Sequence, residues 1–349
     1  MKRLILISAV FLSWMFSACQ DVPEYDGGPE GTFDALVDIV EQRYCFFEAK
    51  DIDWQEVASR YRQELKPDIS DHALFNVCAR MLDELKDGHV NLSSYFNTSY
   101  YRQWWSDYPQ DFNLRTLQEY YLDFDYMQTS GIAYKVLDDN IGYMYYPSFS
   151  SGIGAINLDY VLAYLYNTRA LILDIRDNGG GLLTNIDVLV SRFITQPTSG
   201  GSIVHKTGPG HNDFSEPYDI TYDPCPPYRV PWLTTKPVYV LTNRSCFSAA
   251  NDFVAVMKTL PNVKIVGART GGGGGLPFSS ELPNGWSVRF SACPIYAPDG
   301  SITEFGIEPS EGYEMHCTDE ELAAGRDAIL DFAISLARLA PDPAEEKGK

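Results

Sequence analysis

Apolar residues recur at helical spacing through the first quarter of the chain and at strand spacing further on. Phe33, Leu36, Val37, Val40 and Tyr44 mark one face of a helix predicted over Phe33 to Cys45. The same period continues over Asp53 to Leu65 and over Asp71 to Leu85, where Leu74, Val77, Met81, Leu82 and Leu85 share a face. Lys86-Asp87-Gly88-His89-Val90 ends it, because Asp-Gly forces a turn. Tyr100 to Asp125 is aromatic and charged without a clean period, which suits a linker or a cover over a groove.

Around Gly131 the texture changes. Gly131 to Val136 and Ile141 to Tyr146 read as strands meeting at Asp138-Asp139-Asn140, and Leu158 to Tyr166 as a helix. Ala170 to Ile175 is a near-continuous apolar run, as expected of a strand whose two sheet faces are both covered. A helix is predicted over Ile186 to Phe193. Val238 to Leu241, a helix over 249–260 and Lys264 to Gly267 repeat a strand–helix–strand rhythm, and Trp286 to Phe290 adds a strand. Thr318 with Glu321 forms a capping-box pattern that opens a helix predicted from Asp319 to Leu339; the tail after Pro341 is expected to be disordered. The class is α/β with some parallel pairing, preceded by a helical region.

The start of the chain stands apart from this. Lys2 and Arg3 precede an apolar stretch from Leu4 to Phe16 and then Ser17-Ala18-Cys19, the layout of an export signal too short to span a membrane. A cysteine after small residues is the pattern of a bacterial lipoprotein, with Cys19 acylated as the anchor and Asp21 to Gly31 as a tether. Phe16, not the usual aliphatic residue three before the cysteine, leaves simple secretion as the other reading. The formal net charge of -20 argues against nucleic acid or an anionic membrane surface as partner. Six cysteines follow Cys19, at 45, 78, 225, 246, 293 and 317; no close pair has metal-ligand spacing, so no metal site is suggested, and their pairing is not set by sequence.

Ser248 is the leading chemical candidate. It falls between the apolar run Val238 to Leu241 and the helix that begins at Ala249, where a hydroxyl can enter a cleft beside helix N-terminal amides. An ordinary N-cap serine looks the same. Five histidines could supply a base: His72, His89, His205, His211 and His316. His89 follows an Asp-Gly turn, which either presents an imidazole to a cleft or uses it to stabilise the turn. Asp177 to Gly181 directly follows a buried strand, where α/β ligand sites gather. Thr270 followed by Gly271 to Gly275 lacks the Lys-Ser/Thr ending of a phosphate loop. Both glycine segments read either as flexible turns or as backbone sites for an oxyanion or a peptide. Glu304 lies near an Asp-Gly turn, as a solvated charge or as a partner for a histidine.

Five segments, in this order, resemble the C-terminal-processing or tail-specific serine peptidases (peptidase family S41), in the branch with the tricorn core and retinoid-binding-protein-like domains. They are Leu85 to His89, Leu171 to Gly181, Thr242 to Asp252, Gly267 to Gly273 and Glu304 to Pro309. The resemblance implies a ClpP/crotonase-like β–α spiral core with an N-terminal helical region. It implies Ser248 as nucleophile, His89 as base and Glu304 as its carboxylate partner. Ala249 N–H would be one oxyanion donor and Gly179 or Gly180 N–H the other, with Gly271 and Gly272 binding substrate. Members of the Ser-Lys type carry a lysine where this chain has Gly273. Many members also insert a PDZ domain after the Asp-Gly-His segment, for which the stretch from His89 to Gly131 is too short.

The implied activity is hydrolysis of peptide bonds of envelope polypeptides, without a cofactor. An inactive peptide- or lipid-binding lipoprotein of the same fold is the alternative, and an ester hydrolase a third. The expected organisation is a signal (1–18), a tether (19–31), a helical domain (32–95), a linking or groove-covering segment (96–130), a catalytic core (131–338) and a flexible tail (339–349). Placement in the bacterial envelope, periplasmic or surface-facing, follows from the signal; no oligomeric state does.

Overall fold

A computed structural model describes residues 24–232 and 235–343, so the expected signal, Cys19 and the end of the tail lie outside the described residues. Three helices come first: α1 (Pro29–Arg43), α2 (Trp54–Arg62) and α3 (Asp71–Asp83). Asp53 and Ser70 cap the second and third by accepting from the amides of Glu56 and Ala73. Their apolar faces close a core with Trp286, Val288 and Phe290.

The strands are β1 (Asn91–Ser93), β2 (Met127–Thr129), β3 (Ile132–Leu137), β4 (Ile141–Tyr145), β5 (Leu171–Asp174), β6 (Thr198–Ile203), β7 (Tyr218–Tyr222), β8 (Val238–Thr242), β9 (Val263–Gly267), β10 (Gly275–Glu281) and β11 (Ser287–Tyr296). One sheet runs β2-β3-β4-β5-β8-β9, antiparallel as far as β4 and parallel from β4 to β9. The other runs β1-β11-β6-β7, with β10 also on β11. The result is a mixed α/β fold.

Alternation along β5 and β8 explains the apolar runs 171–173 and 238–241. Leu171, Leu173, Val238 and Val240 face a core with α4 (Ala155–Leu165), α5 (Thr184–Val190) and α6 (Ala249–Met257). Ile172, Tyr239 and Leu241 face the opposite core. That core includes Ile329, Leu330 and Ala333, which lie near the chain's end. With both faces covered, no polar position is needed.

The helix expected from Asp319 to Leu339 is instead two, α7 (Asp319–Ala323) and α8 (Ala328–Ala337). Gly325 takes a positive φ of 85° and Asp327 caps α8 by accepting from Leu330 N–H, a stop followed by a start. The capping box at Thr318 and Glu321 is present. Residues 100–125, read as aperiodic, contain helical turns at Gln103–Ser106 and Leu114–Thr116 and a π-helical turn at Leu117–Tyr121. Among the described residues no helix is long and apolar enough to cross a membrane.

Candidate active site

Parallel β8 delivers the chain to Asn243, and α6 begins at Ala249; the loop between is held from both sides by backbone bonds. Phe247 N–H donates to Asn178 O at 3.0 Å and Ser248 N–H to Gly272 O at 2.8 Å, while Gly271 N–H donates to Cys246 O at 2.7 Å. Ser248 is left at φ 55°, ψ -126°, a conformation that suits glycine. It occupies the N-cap position of α6, yet its side chain makes no capping hydrogen bond. The capping role therefore does not account for the serine. Such strain persists only where the surroundings fix it, as at functional sites.

The turn after α3 supplies the imidazole. Asp87 Oδ1 accepts from His89 N–H at 2.8 Å, which fixes the turn. His89 is 4% exposed, packs its ring 4.7 Å from that of Phe247, and places Nε2 3.1 Å from Ser248 Oγ. Its other nitrogen, Nδ1, lies 3.5 Å from Ser291 Oγ on β11. Burial pulls the imidazole pKa down to about 4; Asp87 opposes this, and Arg289 and Lys50 add to it. His89 is thus neutral near pH 7 and able to accept a proton.

Glu304 lies in a neighbouring buried cluster. Its Oε1 takes a 2.6 Å bond from Lys50 Nζ and its Oε2 a 3.0 Å bond from Gly274 N–H. Burial and the facing Asp87 push its pKa up to about 8 against the pull of Lys50. Asp87 itself is lowered, since Lys50, His89 and Ser291 together outweigh its burial. The structure thus brings Ser248 and His89 into contact, whereas no hydrogen bond joins Glu304 to His89 among the described residues.

Gly180 packs against the serine: a Cβ there would stand 2.8 Å from Ser248 Cβ and 2.5 Å from Phe247 O. Its N–H donates to Asn178 Oδ1 at 3.0 Å. The amides of Gly179 and Ala249 have no protein acceptor among the described residues. Gly271 and Gly272 lie beside the serine loop, and their bonds to Cys246 and Ser248 hold that loop. A side chain at Gly273 would collide with the Phe247 ring, so a lysine has no room there in this packing. Cys246 is fully buried with its thiol donating to Ile175 O at 3.0 Å, and burial raises its pKa, which keeps it from acting as a thiolate.

The remaining histidines are placed elsewhere. His211 pairs with Glu41 and His316 with Asp111, His205 contacts Cys293, and His72 packs on Phe96. A cavity of about 1210 Å³ opens between the helical region, residues 101–111 and the core. Trp104, stacked 4.2 Å from Phe247, is part of its wall, as are Lys50, Gly88, Arg244 and Glu304. Sequence reasoning passed over Lys50, Asp87, Trp104 and Ser291. Asp87 stands inside the Asp-Gly-His segment; Ser291 and Lys50 carry no local signal.

Residues 140–311 match the model of peptidase family S41, and residues 29–83 that of the tricorn protease C1 domain. The crystal structure of a candidate peptidase from Parabacteroides merdae is 47% identical with a TM-score of 0.83, covering 90% of this chain and 97% of that one. Mature CPAF complexed with lactacystin shares the fold at 13% identity and a TM-score of 0.66, over 89% of this chain and 98% of that one. The carboxy-terminal processing protease CtpA of Bacillus subtilis is 26% identical over 180 residues, 51% of this chain and 36% of its own length. The chain spans about a third of the length of the curated processing proteases it matches.

Proposed function

The chain belongs to peptidase family S41, and from that membership we propose that it is a serine peptidase hydrolysing peptide bonds in polypeptides of the cell envelope. Ser248 Oγ attacks the scissile carbonyl while His89 Nε2 takes its proton; the carbonyl π pair moves onto oxygen. The tetrahedral intermediate collapses, His89 protonates the departing amine, and water hydrolyses the acyl-enzyme by the same steps. Ala249 N–H and Gly179 N–H stabilise the oxyanion. Gly179 is preferred to Gly180 because the amide of Gly180 is already given to Asn178. Each donor contributes about 3 kcal/mol to lowering the barrier. No cofactor enters these steps.

The single observation that carries the reading is the 3.1 Å approach of His89 Nε2 to a serine held in a glycine-like conformation. Glu304 acts on the imidazole through the buried charges around it rather than by a direct bond, and Ser291 Oγ accepts a hydrogen bond from His89 Nδ1–H. The remaining backbone of Gly271 and Gly272 borders the extended substrate. The core, 131–338, is read as a ClpP/crotonase-like β–α spiral, supported by the parallel β4-β5-β8-β9 run with helices on its faces. His89 comes from the helical domain, 32–95, and residues 96–130 cover the groove. Lipidation of Cys19 holds the enzyme to an envelope membrane, on its periplasmic or outward face.

Incubation with an unfolded reporter polypeptide tests the activity. Wild-type protein is expected to cleave it and Ser248→Ala to leave it intact. Equal cleavage by both proteins would remove the serine mechanism, and cleavage by neither would remove the peptidase reading.

A further inference from the structure

Lys50 belongs to a turn of the helical region and has no part in the steps above, yet its ammonium is buried at the centre of the charge cluster beside His89. Its side chain is 9% exposed. Nζ donates to Glu304 Oε1 at 2.6 Å and to the carbonyls of Leu85 and Lys86 at 3.2 Å each, which accounts for the three donors of an ammonium. It also stands 3.9 Å from Asp87 Oδ2, an oxygen with no hydrogen-bond partner. Oδ1 of that same carboxylate holds the His89 amide.

From this geometry we propose that Lys50 is a positioning residue for His89. Its ammonium fastens the turn that carries the imidazole to the loop that carries Glu304, and its charge sets the field in which the imidazole takes up a proton. The proposal rests on the Ser248–His89 reading and extends it to a third segment of the chain.

A lysine placed here solely to fill space would be a poor choice, since taking an ammonium out of water is strongly unfavourable unless charges compensate. Burial does act to lower the Lys50 pKa, but Asp87 and Glu304 outweigh it and hold the ammonium protonated. Charged groups reach His89 from several elements. Asp87 shares its turn and draws a proton toward the ring, while Arg289 on β11 and Lys50 repel one. Behind them Tyr44 and Cys45 face the two carboxylates, and their own ionisation is pushed up, by burial first and by those carboxylates next. Removing Lys50 leaves the buried Asp87 carboxylate beside the imidazole without the ammonium that opposes it. The proton affinity of His89 must then rise.

The test measures fluorophosphonate labelling rate against pH for wild type, Lys50→Met and Lys50→Arg, alongside an NMR titration of the His89 ring. In Lys50→Met the acid-side midpoint of labelling and the His89 titration should both move up by roughly one pH unit, and the plateau rate should fall. Lys50→Arg should return the midpoint toward that of wild type. A purely structural lysine would lower the rate of Lys50→Met without moving either midpoint, and that result overturns the proposal. Should Lys50→Met fail to fold by circular dichroism, Lys50→Met/Glu304→Gln is compared with Glu304→Gln alone, with the same upward shift expected and its absence contradicting the proposal. If the wild type takes no label at all, the peptidase reading fails, while the NMR titration still decides the role of Lys50.

Discussion

Ser291 Oγ faces His89 Nδ1 at 3.5 Å, on the ring nitrogen that Ser248 does not use. A base that takes a proton at Nε2 must carry its other proton at Nδ1, so the acceptor there selects the tautomer. Ser291 is fully buried on β11, near an Asp87 whose pKa it helps to lower. A hydroxyl between imidazole and carboxylate can accept from one and donate to the other.

Ser291→Ala should therefore slow hydrolysis roughly fivefold to tenfold with KM unchanged, the value of one hydrogen bond worth about 1 kcal/mol. Steady-state kinetics with melting curves alongside checks this. A change confined to KM would place Ser291 in substrate binding instead.

Gly180 has φ 88° and no space beside its Cα, since an added Cβ meets Phe247 O and Ser248 Cβ. Gly180→Ala should displace the serine by a fraction of an ångström and cost about a hundredfold in kcat. Its melting temperature should fall by only a few degrees. Gly131→Ala, at φ 77° with nothing near it, carries the backbone cost alone and should keep full activity; equal losses in the two variants would deny Gly180 its special position.

Two buried groups give stability opposite slopes with pH. Glu304 has a folded pKa of about 8, above its ordinary 4.5, so its contribution is whole below 4.5 and is lost as pH rises through 8. His89 has a folded pKa of about 4, below its ordinary 6.5, so its contribution is whole above 6.5 and is lost as pH falls through 4. In urea titrations, Glu304→Gln should abolish the decline on the alkaline side and His89→Ala should reduce the decline on the acid side. An unchanged alkaline slope in Glu304→Gln would assign that loss to another group.

Arg176 is wholly buried, with Asp174 at 2.6 Å and Asp327 at 2.8 Å. Arg176→Met would leave both carboxylates buried without a cation, at a cost of about 3–5 kcal/mol. Chemical denaturation measures it; a loss under about 1 kcal/mol would mean the carboxylates find other partners.

How much of this was legible depended on the range of the interaction. The helices near residues 33–85 and the buried strands at 171–174 and 238–242 follow from local periodicity, because one or both of their faces meet a core. Strands β6, β7 and β10 were not read: Thr198–Ile203 is rich in Gly and Ser, and Gly275–Glu281 is mostly exposed or half-buried. The first pairs with β11, distant in sequence, and with β7, while the second pairs with the adjacent β11. At the site, Ser248 and His89 stood in segments with a recognisable pattern. The contacts of Lys50 with Glu304 and of Ser291 with His89 span 254 and 202 positions, and neither residue has a local signature. Glu304 was found by pattern, but its bonds to Lys50 and Gly274 were visible only once the chain was folded.

The most direct measurement is to map the adduct left by a fluorophosphonate probe on the folded protein by peptide mass spectrometry. An activated serine predicts one adduct, on Ser248, absent from Ser248→Ala, with labelling of His89→Ala slowed by about a hundredfold or more. An adduct on another residue, or labelling that persists unchanged in His89→Ala, would contradict the account.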